Sequence, residues 1–114
     1  MSLLKKKCVP CEGKMKPLNQ EQIDALMPEV PGWTVSPDLK MISREMTFKD
    51  FVEGIIFINE VAHLAEEEGH HPNLKLHSYK KVLVELYTHA INGLSENDFI
   101  LAAKINEIDI RHLI

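Results

Sequence analysis

Four short segments of the chain carry the pattern of β-strands, at residues 33–36, 39–47, 74–77 and 79–89. In the last of them Val82, Val84, Leu86 and Thr88 occupy alternate positions, so these residues share one face of an extended chain. Pro37-Asp38 is a turn signal between the first two segments. The pattern predicts two hairpins.

Helices are predicted before, between and after these hairpins. The first begins after Asn19, a good N-cap, with Gln22 at the third helical position as in a capping box. The last follows Ser95, with Asp98 three residues later in an acidic form of the same box. Both starts are therefore marked by their own side chains.

The middle helix is apolar around most of its circumference. Thr47 is expected to cap it, with Asp50 at the third helical position, and Gly69 is expected to end it. Two sets of apolar residues recur at helical spacing: Phe51, Ile55, Ile58, Ala62 and Ala65, and Phe48, Val52, Phe57, Val61 and Leu64. A helix of this kind is usually buried on two sides. In so small a domain we expect the second side to contact a neighbouring subunit.

The order of elements is α-β-β-α-β-β-α. It predicts a single α+β domain, with a four-stranded antiparallel sheet and three helices packed on one face. The domain is expected to span residues 19–114, after a lysine-rich arm at 1–18 that contains Cys8 and Cys11. Because the edges of such a sheet must be paired or blunted, an oligomer is one expected solution.

Composition narrows the classes of function. The 114 residues include 13 basic and 17 acidic side chains, a net charge of −4, which gives no electrostatic case for nucleic-acid binding. No apolar run approaches the roughly 20 residues that span a bilayer, and residues 1–7 lack the apolar core of a signal peptide. Two cysteines do not make a disulfide framework. We therefore expect a cytoplasmic protein.

Candidate acid–base chemistry is concentrated where the middle helix ends. Glu66 stands four residues after Ala62, so we expect its carboxylate to face inward, with Glu67 and Glu68 on a solvated face. Pro72 disfavours helical angles at His71, which places the preceding histidines on a rigid bend. Histidine is the side chain whose ordinary pKa lets it exchange protons near neutral pH.

Two further residues could complete such a site. His89 ends the last strand off its core face, and Asp98 opens the last helix, where backbone N–H groups are unpaired. Taken singly, each candidate has a more ordinary interpretation. A His-His-Pro bend is usually a turn with solvated histidines, and an aspartate at a helix start is usually a cap.

The combination of these residues is more specific than its parts. The chain resembles the signature of the pterin-4a-carbinolamine dehydratase family in the identity and spacing of several residues. These are Glu66, His70-His71-Pro72, Tyr79 and the segment from Thr88-His89 to Asp98. Pro31-Gly32-Trp33, Phe48-Lys49-Asp50-Phe51 and the segment 101–105 extend the resemblance, which covers roughly residues 17–110.

The resemblance implies a single α+β domain that forms a homodimer or homotetramer through sheet and helix contacts. It implies dehydration of 4a-hydroxytetrahydrobiopterin, or a related 4a-hydroxytetrahydropterin, to the quinonoid dihydropterin, with no metal or organic cofactor. His70, His71 and His89 would be the catalytic histidines. Our hypothesis is that His71 and His89 do the acid–base work, while His70 binds and polarises the substrate.

Four other residues would contribute to substrate binding by motif match: Glu66, Pro72, Thr88 and Asp98. We expect Glu66 and Asp98 to orient the histidines or tune their charge. Bacterial relatives often have Asp and Trp where this chain has Asn73 and Tyr79. These departures leave the histidines alone but bear on the preference among pterins.

Three other interpretations compete. Cys8 and Cys11 have the spacing of half a zinc site or of a redox pair, although an arm with two plain thiols is the simpler interpretation. A binding module is the second, because the animal relative also serves as a dimerisation cofactor for a transcription factor. A His, Glu and Asp metal site is the third and ranks low.

Lys80 and Lys81 could contact a pterin edge, and His63, His77 and His112 are expected to be structural or solvated.

Overall fold

The computed structural model describes residues 3–9 and 15–113 of the chain. The order of elements follows the prediction: α1 (Gln20–Leu26), β1 (Thr34–Val35), β2 (Ile42–Thr47), α2 (Phe51–Glu68), β3 (Asn73–His77), β4 (Lys81–Leu86) and α3 (Glu96–Asn106). The expected α+β class, with three helices and one four-stranded antiparallel sheet, is confirmed.

The strands lie in the order β1-β2-β4-β3, and every neighbouring pair is antiparallel. Val82, Val84 and Leu86 of β4 are fully buried and belong to the same hydrophobic core as buried residues of α2 and α3. The alternation in the sequence therefore identified the core face, and Thr88 continues it as a buried residue beyond the strand.

The helix starts follow the expected chemistry at two of three places. Asn19 and Ser95 each form a capping box, with Gln22 and Asp98 respectively. The expected Thr47 cap of α2 is wrong. Asp50 is the N-cap and accepts a hydrogen bond from the Glu53 amide, because Thr47 still belongs to β2.

The last strand is shorter than its apolar pattern suggested: β4 spans Lys81–Leu86 and not residues 79–89. Ser78 and Tyr79 both have positive φ, 50° and 53°, and form a tight turn between β3 and β4. Tyr79 therefore lies in the turn and not at the start of a strand. Two positive φ angles match the right-handed twist of the flanking strands, although such angles carry strain for residues other than glycine.

Helix α2 buries one side only within the monomer. Gly54, Phe57, Val61, Ala65 and Glu68 face the core. A Cβ at Gly54 would stand 3.0 Å from the Leu76 side chain, so this glycine allows α2 to pass close to β3. Phe51, Val52 and Ile55 are exposed, so within the monomer the second apolar side of this helix is uncovered.

The described part of the arm packs against the domain. Residues Leu3–Lys5 form one 3-10 turn that contacts α3, and Leu3 is buried in the common core. Lys6 pairs with Glu96 at the start of α3, 3.0 Å between Nζ and Oε2. The arm is thus attached near the end of the molecule where α3 begins.

Candidate active site

His70 is the most firmly positioned histidine of the candidate site. Its Nε2 lies 2.6 Å from Oδ1 of Asp98, and the side chains are 12% and 0% exposed. Gly69 ends α2 with φ 65°, and the amides of Gly69 and His70 both donate to the Ala65 carbonyl. The backbone of His70 is therefore held by the helix end and its ring by a buried carboxylate.

Asp98 is itself held by two other donors. Its Oδ2 accepts hydrogen bonds from the Thr88 hydroxyl, at 2.8 Å, and from the Ser95 amide, at 2.9 Å. An ionised carboxylate only accepts hydrogen bonds, so the facing Nε2 of His70 carries a hydrogen. In a neutral His70 ring, Nδ1 is then the atom with a lone pair to offer.

His71 pairs with Glu66, 2.5 Å between Nε2 and Oε2. The side chains are 61% and 77% exposed, so the expectation that Glu66 faces inward is wrong. Its place on α2 explains the error: Ala62, one turn earlier, is also exposed, while Val61 and Ala65 face the core. Glu66 nevertheless contacts one of the predicted histidines.

His89 is exposed and opens a 3-10 turn, His89–Ile91, directly after the buried Thr88. Its ring lies 6.1 Å from that of Tyr87, edge to face. Thr88 pairs with Gly93 as an isolated bridge, which fixes the strand end from which His89 projects. Among the described residues, no hydrogen bond engages the His89 ring.

The predicted residues fall into two hydrogen-bonded groups and one separate histidine. His70, Asp98 and Thr88 form the first group, and His71 with Glu66 forms the second. Thr88 and Asp98 join the segment before His89 to the segment that carries His70 and His71. Within the described chain no hydrogen bond joins His71 to His89.

Pro72 and Tyr79, the two remaining motif residues, belong to neither of these hydrogen-bonded groups. Pro72 is half-buried between His71 and β3. Tyr79 is exposed and lies beyond the far end of β3, away from the histidines, with the Lys80 ammonium 5.5 Å from its ring centroid. Within one chain, Tyr79 does not belong to this site.

Glu68 is the residue that sequence reasoning missed, since it was expected on a solvated face. It is buried, and its Oε2 lies 2.7 Å from Lys104 Nζ while Oε1 accepts from the Cys8 amide at 2.9 Å. Burial raises its pKa, but the hydrogen bonds from Lys104 and the Cys8 amide outweigh this, so the pKa is lowered overall. Its spacing of three residues after Ala65 was the available signal.

Of the two cysteines in the motif, the structure describes Cys8. Cys8 is half-buried, and its thiol donates to the Asn97 carbonyl at 3.6 Å. Burial and the nearby Glu68 carboxylate raise the pKa of this thiol to about 12. Cys11 lies outside the described residues. Among the residues that the structure does describe, no three His, Cys, Asp or Glu side chains are grouped as metal ligands would be.

The other described histidines and one cavity lie apart from this site. His77 pairs with Glu45 and His63 is exposed, whereas the side chain of His112 lies outside the described part of the chain. A cavity of about 420 Å³ is lined by residues of β2, the end of α3 and the chain that follows, including Arg44 and Asn106. It contains none of the predicted site residues.

Comparison with known proteins decides the family. The family model described as Pterin 4 alpha carbinolamine dehydratase matches residues 16–108. The chain belongs to this family. Pterin-4-alpha-carbinolamine dehydratase 2, mitochondrial, of Arabidopsis thaliana is 44% identical over 112 residues, which cover 96% of this chain and 60% of that protein. A relative from Halorhodospira halophila, whose name assigns the same activity provisionally, is 43% identical over 95% of this chain and 98% of its own length.

Solved structures agree on the fold. A transcriptional coactivator/pterin dehydratase from Brucella melitensis is 32% identical, with a TM-score of 0.74 over 80% of this chain and 96% of that chain. A pterin dehydratase-like protein identified as a RuBisCO assembly factor in the α-carboxysome shares the fold at 23% identity, with a TM-score of 0.57 over 68% and 89% of the two chains. None of the helices in the described residues combines the length and the hydrophobicity that a membrane span requires.

Proposed function

We propose that this chain dehydrates 4a-hydroxytetrahydrobiopterin, or a related 4a-hydroxytetrahydropterin, to the quinonoid dihydropterin and water, as a step in tetrahydrobiopterin recycling. The observation that carries the proposal is the His70–Asp98 pair, in which a fully buried carboxylate orients an imidazole next to His71. Family membership supplies the substrate class. A buried acid behind a histidine is a device for holding a proton-transfer group in one orientation.

The chemistry requires two proton transfers. A base removes the proton from a pterin nitrogen, the electron pair forms the C=N bond, and the 4a-hydroxyl leaves as water after it receives a proton from an acid. We assign the two transfers to His71 and His89, whose exposed rings are accessible to a substrate. Glu66, which is hydrogen-bonded to Nε2 of His71, would orient that ring.

His70 would bind and polarise the substrate without leaving its place. With Nε2 committed to Asp98, its Nδ1 is available to a pterin N–H. Thr88 and Asp98 act in this proposal by holding the His70 ring and the strand end before His89, and Pro72 by fixing the bend after His71. No cofactor is invoked.

The direct test is the rate at which a 4a-hydroxytetrahydropterin, generated in the assay by an aromatic amino-acid hydroxylase, loses water with and without this protein. The proposal requires an increase in rate proportional to protein concentration. A rate equal to the uncatalysed one, with correctly folded protein, would refute it. Substrates that differ in the pterin side chain would identify the preferred pterin.

Cytoplasmic location remains a prediction, and the Arabidopsis relative is named mitochondrial.

A second candidate function is a protein-binding scaffold. The observation that favours it is the exposed apolar side of α2, formed by Phe51, Val52 and Ile55. The Brucella neighbour is named as a transcriptional coactivator as well as a pterin dehydratase. We propose that in this chain the face is covered by further copies, as a homodimer or homotetramer. A monomer in solution at micromolar concentration would leave the face available to another partner and would favour the scaffold.

A further inference from the structure

Two residues of the N-terminal arm bind the last residue of α2 and a residue in the first turn of α3, close in sequence to His70 and Asp98. The Cys8 amide donates to Oε1 of Glu68 at 2.9 Å. The next residue, Val9, is bound twice by the Asn97 side chain: its amide donates to Oδ1 at 3.0 Å, and its carbonyl accepts from Nδ2 at 2.5 Å. We refer to these three hydrogen bonds as the arm contact.

The positions of the two anchors in the sequence give the contact its significance. Glu68 is the last residue of α2, two residues before His70, and Asn97 is the residue immediately before Asp98 on α3. The dipeptide Cys8-Val9 therefore links Glu68, near His70, to Asn97, next to Asp98. The Nε2 atom of His70 and Oδ1 of Asp98 lie 2.6 Å apart. A shift of either helix end would move His70 relative to Asp98.

The anchors are built as a fixed support. Glu68 and Asn97 are both buried, and Glu68 is also held by Lys104 Nζ from the next turns of α3. The Cys8 thiol, protonated because burial and Glu68 raise its pKa, adds a hydrogen bond to the Asn97 carbonyl. Buried polar groups with all partners satisfied specify one arrangement, because any other leaves a group unpaired.

We propose that the arm contact positions the His70–Asp98 pair, so that the segment around Cys8 and Val9 is a positioning element of the site and not a passive extension. This inference rests on the proposed dehydratase function for its effect on turnover, but not for its effect on the geometry of His70. Positioned catalytic groups lose much of their effect when they move by about 1 Å, roughly 10²-fold in rate.

The test uses the full-length chain with Asn97→Ala, which removes both hydrogen bonds to Val9. Two properties are measured: the ring N–H resonance of His70 in the proton NMR spectrum, which reports the hydrogen bond to Asp98, and kcat with KM for dehydration. We expect the resonance to broaden or disappear, and kcat to fall roughly tenfold with KM within about twofold. Asn97→Asp keeps an acceptor for the Val9 amide and should lie between wild type and Asn97→Ala.

Glu96→Gln is the matched control, because it breaks the exposed Lys6–Glu96 pair between the same arm and the same turn of α3 without touching the arm contact. It should leave both properties unchanged. An Asn97→Ala protein with the wild-type resonance and wild-type kcat would overturn the inference. If that variant does not fold, Glu68→Ala, which removes the acceptor of the Cys8 amide, decides by the same measurements. If the wild type itself does not dehydrate the pterin, the proposed function fails, and the resonance alone decides the arm contact.

Discussion

Asp98 Oδ1 lies 2.6 Å from Nε2 of His70, and this carboxylate is completely buried at the start of α3. The same side chain closes the capping box of that helix by accepting from the Ser95 amide. One residue therefore begins a helix and orients a histidine from another segment. Structure and proposed chemistry share this residue, so its replacement should affect both.

Asp98→Asn keeps the size of the side chain and removes its charge. We expect a loss of about 1–3 kcal/mol in the free energy of unfolding, since an amide cannot accept from Thr88, Ser95 and His70 together. We also expect kcat to fall at least tenfold. Urea unfolding and steady-state kinetics measure the two effects. Wild-type kcat in a folded Asp98→Asn protein would remove Asp98 from the proposed site.

His71→Ala and His89→Ala test the proposed proton transfers. Each should lower kcat by about 10²-fold, the usual contribution of a positioned acid or base. Both rings are exposed, so the melting temperature should change little. His63→Ala, an exposed histidine of α2 outside the motif, is the control and should keep full activity. Unchanged turnover in both site variants would defeat the assignment.

The Glu68–Lys104 pair should make stability depend on pH in the acid range. The pKa of Glu68 is lowered in the folded protein, so its stabilising contribution is complete above the ordinary carboxyl pKa of 4.5 and is lost as pH falls through the lowered value. Glu68→Gln should therefore be less stable than wild type at pH 7, by about 1–3 kcal/mol. The difference should shrink on acidification. Urea unfolding at several pH values checks this, and a difference independent of pH would contradict it.

The Cys8 thiol should react slowly with alkylating reagents. The thiolate is the reactive form of cysteine, and its fraction falls about tenfold for each pH unit below the pKa. With a pKa of about 12, only about 10⁻⁴ of the Cys8 thiol is ionised at pH 8. In a Cys11→Ser protein, the rate of iodoacetamide reaction at pH 8 should be at least 10²-fold below that of a free cysteine. The same protein in urea should react at the free rate.

A charge on the exposed side of α2 should disrupt the proposed homo-oligomer. Val52 is 63% exposed in the monomer, so Val52→Glu costs little in the folding of one chain but is unfavourable in an apolar contact between chains. We expect light scattering to show smaller particles than for the wild type. Leu113→Glu, at an exposed apolar residue outside α2, should leave the mass unchanged. A wild-type mass in the Val52→Glu protein would place the interface elsewhere.

Local patterns predicted the elements because the forces that form them act between near neighbours in the chain. The boxes at Asn19 and Ser95 and the alternation of Val82, Val84 and Leu86 were readable for this reason. The same approach misjudged Glu66 and Glu68. The stripe on α2 is apolar nearly all round, so the spacing alone could not tell which side meets the sheet.

The sequence by itself determined the family motif, the order of the elements and the residue types available for acid–base chemistry. Only the tertiary structure decided that Asp98 pairs with His70, that Glu66 pairs with His71 at the surface, and that Glu68 is buried beneath the arm. The physical reason is that these contacts depend on how the helices pack on the sheet, which the local spacing of residues does not determine. His70 and Asp98 are 28 positions apart in the chain, and Cys8 and Glu68 are 60 apart.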